Sequence, residues 1–497
     1  MVSIAASPSG VRVGRAAPLP SRGVRRVLAV AAWSATLGVL GVLIAALEPA
    51  YAVLLAGGLI VAGLVLARPS AAIPVLLFAV PFGAALRPDT GDVDVAAGPT
   101  EALVALLVLA WLARGVRLRS IAVRNGTVVA AIVVLTALML LSIGYAASAG
   151  LAVKESLKWL ELLLVLVIVV DCAADERTVT WMLAALFAAG GAEALWGVMQ
   201  VATGGGPAAF AVDGALRAFG HFEQPNPFAG YLATILPLAV LMAIVARPRP
   251  RFRWFALGST LAMLLAVAAS QSRGAWLGVA AAAVCLLAAW SRRTRFWLLP
   301  LAGATALFTI LAAARLLPAS MADRLGQAVE YFGVFDVRTV ELTSQNWAVV
   351  ERMAHWQAGW SIFLDHPWLG VGAGNYAAAY PLYYVPPWLE PLGHAHNYYL
   401  NTLAELGVVG LVLLLAVLTI LFGQLGAALR LPTDADTVFW RAVVAGVVGA
   451  LVVFCIHSLF DNLFVHSVNV QLGFMVGLGL VAAERLRQRS AARQSAC

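Results

Sequence analysis

The sequence predicts an all-α polytopic membrane protein, with about 14 transmembrane helices and a small helical cap outside the membrane. The chain has 497 residues, of which 62% are hydrophobic and 12% are charged, and its mean hydropathy is +0.89. Charged residues make up about a quarter of an ordinary soluble domain. Apolar runs of roughly 16 to 24 residues, long enough to cross a bilayer, recur along the chain. These observations exclude a soluble enzyme and predict one helical membrane bundle.

The apolar runs predict fourteen membrane helices. They cover residues 27–46, 51–67, 71–86, 100–113, 126–145, 156–172, 178–200, 228–246, 254–270, 274–290, 297–315, 403–425, 439–459 and 466–482. The basic tail over residues 1–26 contains five arginines and no acidic residue. We interpret the apolar run after it as a retained first helix rather than a cleaved signal peptide.

The basic residues predict the orientation of this bundle. With the N-terminus in the cytoplasm, most of the 33 lysines and arginines fall in cytoplasmic segments, above all in the loops 247–253 and 292–295. Such an excess is typical of the cytoplasmic side. Both tails, 1–26 and 483–497, are therefore predicted to be cytoplasmic. Because the basic residues are spread over short loops, the net charge of +8 does not indicate nucleic-acid binding.

The same orientation places the two longest polar segments, 201–227 and 316–402, on the outer side. The first is an external loop within helices 1–11 (27–315), and the second is a predicted cap with a catalytic loop, preceding helices 12–14 (403–482). Within the cap, residues 318–330 and 344–364 are predicted helices, and five of the 15 tryptophans lie between Trp347 and Trp388. We interpret these tryptophans as an aromatic belt at the bilayer surface, with platforms for sugar rings as the alternative. Any chemistry is predicted to occur on this outer side, because irregular backbone must lie in water or line a cavity.

Two arginines at the outer side are candidate binding residues. Arg217 precedes a predicted helix start with Asn226 as N-cap, and Arg273 lies in a tight turn, residues 270–274, between two apolar runs. An arginine embedded between membrane helices is costly unless it has a partner. Together the two guanidinium groups suit a diphosphate, since each can bind phosphate oxygens in bidentate fashion. The alternatives are simple helix initiation at 226, and arginines that reach the interface or pair with Glu193 or Glu161.

A histidine pair is the candidate base. His394 and His396 precede a predicted helix start, on which Asn397, Asn401 and Glu405 form a polar stripe at i, i+4 and i+8. A neutral histidine at such a position can accept a proton near neutral pH. A metal site at the two histidines and a purely structural pair are the alternatives.

Other polar residues are interpreted as structural. Asp92 and Asp94 could hold a divalent cation, but a solvated acidic loop is the preferred interpretation. His457 and Asp461 lie one turn apart, and we interpret them as a helix-end hydrogen bond. Four charged residues at the start of the sixth helix are predicted to neutralise one another: Lys154, Glu155, Lys158 and Glu161.

Four stretches of sequence together resemble the O-antigen ligase family, whose wider superfamily also contains bacterial polysaccharide polymerases. They are residues 217–232, 270–278, 365–375 and 394–407, and residues 158–164 are a weaker match. Their order and spacing carry the resemblance, which extends from residue 150 to residue 480. The shared motifs do not separate a ligase from a polymerase.

The resemblance implies an inner-membrane, multi-pass glycosyltransferase whose active site faces the periplasm. Such enzymes take a glycan from undecaprenyl diphosphate, invert the anomeric carbon, and need no metal or other cofactor. The acceptor implied is the lipid A core or another glycan, in lipopolysaccharide or surface polysaccharide biosynthesis. By position, Arg217 and Arg273 would hold the diphosphate, His396 would activate the acceptor hydroxyl, and His394 would support it. The predicted substrate-binding residues are Lys158, Asn226, Asn397 and Glu405.

A transporter or flippase for polar lipids is the competing hypothesis from another class. A transporter opens to both sides, so its polar residues should extend through the middle of the membrane. In this sequence they gather at the predicted outer face, which favours an enzyme.

Overall fold

The computed structural model describes residues 69–83, 98–119, 123–173, 175–212, 215–313, 335–343 and 346–495, with a few residues between 57 and 65. Three predictions lie outside the described residues. They are the first helix with most of the second, the helix at 318–330, and the acidic loop that contains Asp92 and Asp94.

The regular secondary structure of the described residues is helical apart from one small hairpin, in which β1 (Ala211–Val212) pairs antiparallel with β2 (Ala215–Leu216). The helices are α1 (Pro69–Phe82), α2 (Pro99–Leu118), α3 (Gly126–Ser142), α4 (Ala149–Cys172), α5 (Glu176–Thr203), α6 (Pro225–Val245), α7 (Pro250–Ala269), α8 (Arg273–Trp290), α9 (Leu298–Ala313), α10 (Trp347–Asp365), α11 (Tyr398–Leu429), α12 (Val438–His457) and α13 (Val468–Gln494). Two four-residue helices, Arg292–Arg295 and Tyr376–Ala379, are left unnumbered.

Every predicted span from 71–86 onward corresponds to one of these helices. Among the described helices, six are long and apolar enough to cross a membrane: α5, α6, α7, α8, α11 and α12. Shorter apolar helices cover Ala72–Phe82 and Gly126–Ser142. The chain is therefore a multi-pass helical membrane protein.

Two helices form the centre of the bundle. α6 and α12 are buried over most of their length and pack against each other, while α7 and α8 flank them with many exposed apolar side chains. The two central helices approach closely because α12 has glycines at their contact. A Cβ at Gly446 would stand 2.7 Å from a Leu238 methyl group, and one at Gly449 would stand 2.6 Å from Pro237 Cβ.

The start of α6 corrects one prediction. The helix begins at Pro225, and its N-cap is Gln224, which makes no side-chain capping bond. Asn226 therefore lies inside the first turn and is not the N-cap. Proline suits the first turn because its nitrogen has no hydrogen to leave unpaired, and this holds for Pro225 as well as for Pro227. The Asn226 side chain is thereby available for a neighbouring loop.

The cap is anchored to α11 at a break in that helix. Gly407, with φ 64° and ψ −166°, interrupts α11, and the segment 367–372 packs onto the break. The amide of Val408 donates to the carbonyl of Pro367, and the amide of Gly372 donates to that of Glu405. A Cβ at Gly407 would stand 2.2 Å from the carbonyl carbon of Trp368. Only glycine fits here, both for its backbone angles and for the space available.

Candidate active site

Arg217 is held by the two elements that flank it. Its Nε donates to the backbone carbonyl of Ser270 at 2.7 Å, and its Nη2 donates to Oδ1 of Asn226 at 3.1 Å. Ser270 is fully buried in the turn that ends at Arg273, and Gln271 in that turn is left-handed, with φ 53°. Because Ser270 and Arg273 belong to the same turn, this hydrogen bond brings the two predicted arginines into one site.

Arg352 is a third arginine of this group, which the sequence analysis did not identify. It lies on α10 of the cap, beside the buried residues Val350 and Met353. Burial is the main cause that lowers the pKa of Arg217 to about 10, and the charges of Arg352 and Arg273 contribute less. The charge of Asp461 acts in the opposite direction. Arg217 is therefore still cationic near neutral pH. Only the fold brings Arg352 here, because it is far from the other two in sequence.

The carboxylates predicted as alternative partners of the arginines are engaged elsewhere. Glu193 accepts from the His221 amide at 2.7 Å and pairs with its Nδ1 at 2.8 Å. Glu161 accepts from the side-chain amide of Asn469 at 2.9 Å. Within the described part of the chain, no carboxylate forms an ion pair with any of the three arginines at 217, 273 and 352. Their charge is therefore available to an anionic ligand.

Asp461 connects the two predicted histidines. Its Oδ1 lies 3.3 Å from Nδ1 of His396 and 3.7 Å from Nε2 of His394, and it also accepts from the amide of Asn462 at 2.9 Å. The carboxyl group is buried, which opposes its ionisation. The hydrogen bond to His396 and the charges of both histidines and Arg352 outweigh this and lower the pKa of Asp461. An ionised carboxylate fixes the orientation of the imidazole that it contacts.

The hydrogen bonds distinguish the two histidines. The amide of His396 donates to Nδ1 of His394 at 3.1 Å, so the neutral His394 ring carries its hydrogen on Nε2, which points to Asp461. Burial, followed by the charge of His396, lowers the pKa of His394 to about 3. His396 directs Nδ1 to Asp461, so its Nε2 has a free lone pair. His396 also has φ 52°, a left-handed conformation that is uncommon for a residue with a side chain.

The cap supplies the wall behind His396. The indole of Trp356 donates to the His396 carbonyl at 3.4 Å, and the His355 ring lies 5.6 Å from the His396 ring. His355 stacks on Tyr380 and contacts the Tyr376 hydroxyl at 3.1 Å. Burial, followed by the charge of His396, lowers the pKa of His355 to about 4. These buried aromatic groups hold His396 in place.

The predicted helix-end hydrogen bond between His457 and Asp461 is present in the backbone, where the amide of Asp461 donates to the carbonyl of His457 at 3.1 Å. The Asp461 side chain has a further contact that the spacing did not predict. Its carboxylate lies against His396, which is 65 residues away in sequence. This contact depends on how α11 and α12 pack.

The predicted substrate-binding residues make contacts within the fold. Asn397 caps α11 by accepting from the amides of Tyr399 and Leu400, both at 3.1 Å. Glu405 is 5% exposed, and its two oxygens accept from the amides of residues 374 and 376. Lys158 pairs with Glu155, as its spacing predicted. A substrate role for these residues stays a prediction, whereas Asn226 contacts Arg217 and lies in the site.

His394, His396 and Asp461 could also hold a metal ion. Their ligand atoms lie within 4.8 Å of one another. Two imidazoles and a carboxylate are a ligand set that transition metals accept. If the alternative of a metal site is correct, these three residues are the candidate ligands.

A separate cavity of about 630 Å³ lies at the end of the bundle predicted to be cytoplasmic, lined by residues that include Arg249, Phe439 and Arg489. It lies where α6, α12 and α13 meet the loops of that end, and not beside the histidines. Arg249 there pairs with Glu176 at 2.8 Å. We therefore place the candidate active site at the arginine and histidine cluster, on its chemistry rather than on cavity size.

Comparison with known proteins adds one finding. A family model described as O-antigen ligase matches residues 258–415, which include Arg273, Arg352, His394 and His396. No curated protein matches the chain. The matched range contains three of the four stretches on which the resemblance was based, and the family implies a glycosyltransferase-type enzyme with glycan and lipid-linked substrates. Residues 258–415 thus match the O-antigen ligase family, as the sequence motifs predicted.

Proposed function

We propose that this protein is an inverting, metal-independent glycosyltransferase. It transfers a glycan from undecaprenyl diphosphate to a hydroxyl group of an acceptor, the lipid A core or another glycan, at the outer face of the cytoplasmic membrane. One observation carries this proposal: three arginines lie close to the hydrogen-bonded pair of His396 and Asp461. Among the described residues, none of these arginines forms an ion pair.

The arginines supply the donor side of the reaction. Arg217, Arg273 and Arg352 would bind the diphosphate oxygens, and the amino end of α8, which begins at Arg273, adds partial positive charge. As the bond between the sugar C1 and the diphosphate breaks, negative charge develops on the leaving oxygen. Positive groups already in place stabilise that charge without reorganising. A diphosphate whose charge is matched in this way needs no general acid.

His396 supplies the acceptor side. Its Nε2 takes the proton of the acceptor hydroxyl as the oxygen attacks C1 from the face opposite the diphosphate, which inverts the anomeric carbon. Asp461 holds the Nδ1–H tautomer and stabilises the imidazolium that forms. A base of this kind contributes about 10²–10⁴-fold to the rate.

The experiment that tests the proposal uses purified full-length protein, a lipid-linked glycan donor and excess EDTA. We expect transfer to persist in EDTA and to fall strongly in Asp461→Asn, because the variant cannot stabilise the imidazolium. Loss of transfer in EDTA, restored by Mg²⁺ or Mn²⁺, would instead assign His394, His396 and Asp461 to a metal site.

A polysaccharide polymerase is the second candidate, because the superfamily that the family model represents contains both activities. Both enzymes would use the same arginines and base, and they differ in the acceptor. Product length separates them: a ligase attaches one glycan to each acceptor, whereas a polymerase yields a ladder of increasing repeat number. The candidate residues gather at one end of the bundle, an arrangement that does not favour a transporter.

A further inference from the structure

His457 is a buried histidine that the proposed mechanism does not use. It is the last residue of α12 and is 1% exposed. Its ring lies between Gly230 of α6 and Gly274 of α8, where a Cβ would stand 2.8 Å from Nδ1 and 2.7 Å from Cδ2, respectively. Both neighbours must be glycines for the ring to fit. The imidazole thus occupies the point where three central helices meet.

The ring has no hydrogen-bond partner among the described residues. Its Nδ1 is completely buried and unpaired. A buried polar atom without a partner is destabilising, and an unpaired N–H is rarer in proteins than an unpaired acceptor. In the neutral ring, which has a single N–H, we therefore place the hydrogen on Nε2. Nε2 is the nitrogen on the Gly274 edge, 3.3 Å from where a Cβ of that residue would stand.

The Nε2 edge lies beside residues of the candidate site. Gly274 directly follows Arg273, and the charges of Asp461 and Arg352 both act on His457. The Oδ1 atom of Asp461 accepts from His396 and from the amide of Asn462, and no hydrogen bond joins this carboxylate to the His457 ring. Within the described residues the Nε2–H therefore has no protein acceptor, and it can donate to a ligand.

We propose that His457 is a donor-substrate ligand whose Nε2–H donates a hydrogen bond to an oxygen of the lipid diphosphate. This inference rests on the proposed function, in which the arginines bind the same group. A neutral N–H complements them because it is directional and adds no further positive charge to a cluster that already contains three cations. His457 is then a binding residue, distinct from the base His396.

The test measures the binding of undecaprenyl diphosphate to purified full-length protein in detergent. His457→Phe keeps a flat ring between the two glycines but has no N–H, and we expect it to bind about tenfold more weakly or worse, as for a lost hydrogen bond to a charged group. His457→Gln retains an N–H and should lose less. Binding by His457→Phe equal to that of the wild type would overturn the proposal.

Two further arms separate the possible failures. If Arg273→Ala loses binding and His457→Phe does not, the proposed function stands and only the role of His457 is wrong. If the wild-type protein does not bind undecaprenyl diphosphate, the proposed function fails as well. Should His457→Phe not fold, ¹⁵N-imidazole NMR of the wild type decides: a shift of the His457 Nε2–H signal on addition of undecaprenyl diphosphate supports the role, and an unmoved signal refutes it.

Discussion

At the residue scale, residues that look alike in the sequence differ in which of their side-chain atoms have partners in the protein. His394 and His396 are two residues apart, yet both nitrogens of His394 face partners in the protein, while His396 keeps a free Nε2. The arginines differ in a similar way. Arg217 is tied to Ser270 and Asn226, whereas Arg273 and Arg352 form no hydrogen bond within the described residues.

The first prediction concerns the histidines. His396→Ala should lower the transfer rate by about 10²-fold or more, because the acceptor hydroxyl loses its base, and His394→Ala should lower it less. Burial, with a smaller contribution from the charge of His396, lowers the pKa of His394 to about 3, so this ring is neutral near neutral pH. It should therefore contribute no pH dependence there, and the pH profile of His394→Ala should have the same shape as that of the wild type.

These rates are measured with purified protein over a pH series. His366→Ala is the matched control, because His366 is an exposed histidine of the same cap. Normal activity of His396→Ala, at normal protein levels, would contradict the assignment of the base.

The second prediction concerns the arginines. Arg217→Lys, Arg273→Lys and Arg352→Lys should each lower donor affinity, because lysine is a point charge that lacks the planar fork for phosphate oxygens. Each lost charge-assisted contact should weaken binding by about tenfold or more. The KM for the donor in the transfer assay measures the effect. The control is Arg338→Lys, because Arg338 is an exposed arginine of the outer segment. If Arg352→Lys behaved as the wild type, the third arginine would have no role in donor binding.

At the element scale, the break in α11 determines where the cap lies. The segment 367–372 packs on Gly407, and the amides of residues 374 and 376 donate to Glu405 in the same helix. The cap helix α10, with Arg352 and the wall behind His396, is connected to this segment. A short stretch of α11 therefore positions groups that the proposed mechanism assigns to both the donor and the acceptor side.

The third prediction tests this anchor with two glycines of one helix. Gly407→Ala should destabilise the protein by ~1–3 kcal/mol through its backbone angles alone. The clash with Trp368 should destabilise it further, and the variant should not carry out transfer. Gly426→Ala is the control, because a Cβ there meets nothing within 4 Å. Thermal unfolding in detergent and transfer activity are the measurements. Equal stability of the two variants would show that the break does not anchor the cap.

At the scale of the whole molecule, the candidate residues come from distant parts of the chain. The loop before α6 provides Arg217, the turn before α8 provides Arg273, the cap provides Arg352 and His396, and the loop after α12 provides Asp461. Buried central helices with exposed apolar neighbours suit a bilayer. The side of the membrane on which the site lies is a prediction from the distribution of basic residues.

The fourth prediction tests that orientation by labelling single cysteines, each introduced into a variant from which the native cysteines have been removed. Ser361→Cys, in the cap, should react with a membrane-impermeant maleimide added to intact cells. Ala435→Cys, between α11 and α12, should react only after permeabilisation. Both positions are exposed, so accessibility from one side is what the experiment measures. Labelling of position 435 but not 361 in intact cells would reverse the proposed topology.

The sequence by itself determined the membrane bundle and the motifs that match the O-antigen ligase family. It also determined the ends of the described helices to within several residues, except that α13 continues to Gln494 rather than ending near residue 482. Each of these depends on neighbours along the chain: apolar runs long enough to span a bilayer, local turn residues, and the order of short stretches. Arg217, Arg273 and His396 were identified in the same way, because an arginine or histidine beside a membrane helix is itself unusual.

Only the tertiary structure decided which groups meet. Asp461 serves His396 rather than its neighbour His457, and Arg352 joins two arginines that lie far from it in sequence. Glu405 binds the cap segment through the amides of residues 374 and 376, a contact that its place in a polar stripe did not predict. The physical reason is that helix periodicity defines the face on which a side chain lies but not which helix packs against that face. That choice depends on close contacts such as those at Gly230, Gly274 and Gly407, where the absence of a side chain permits another group to approach.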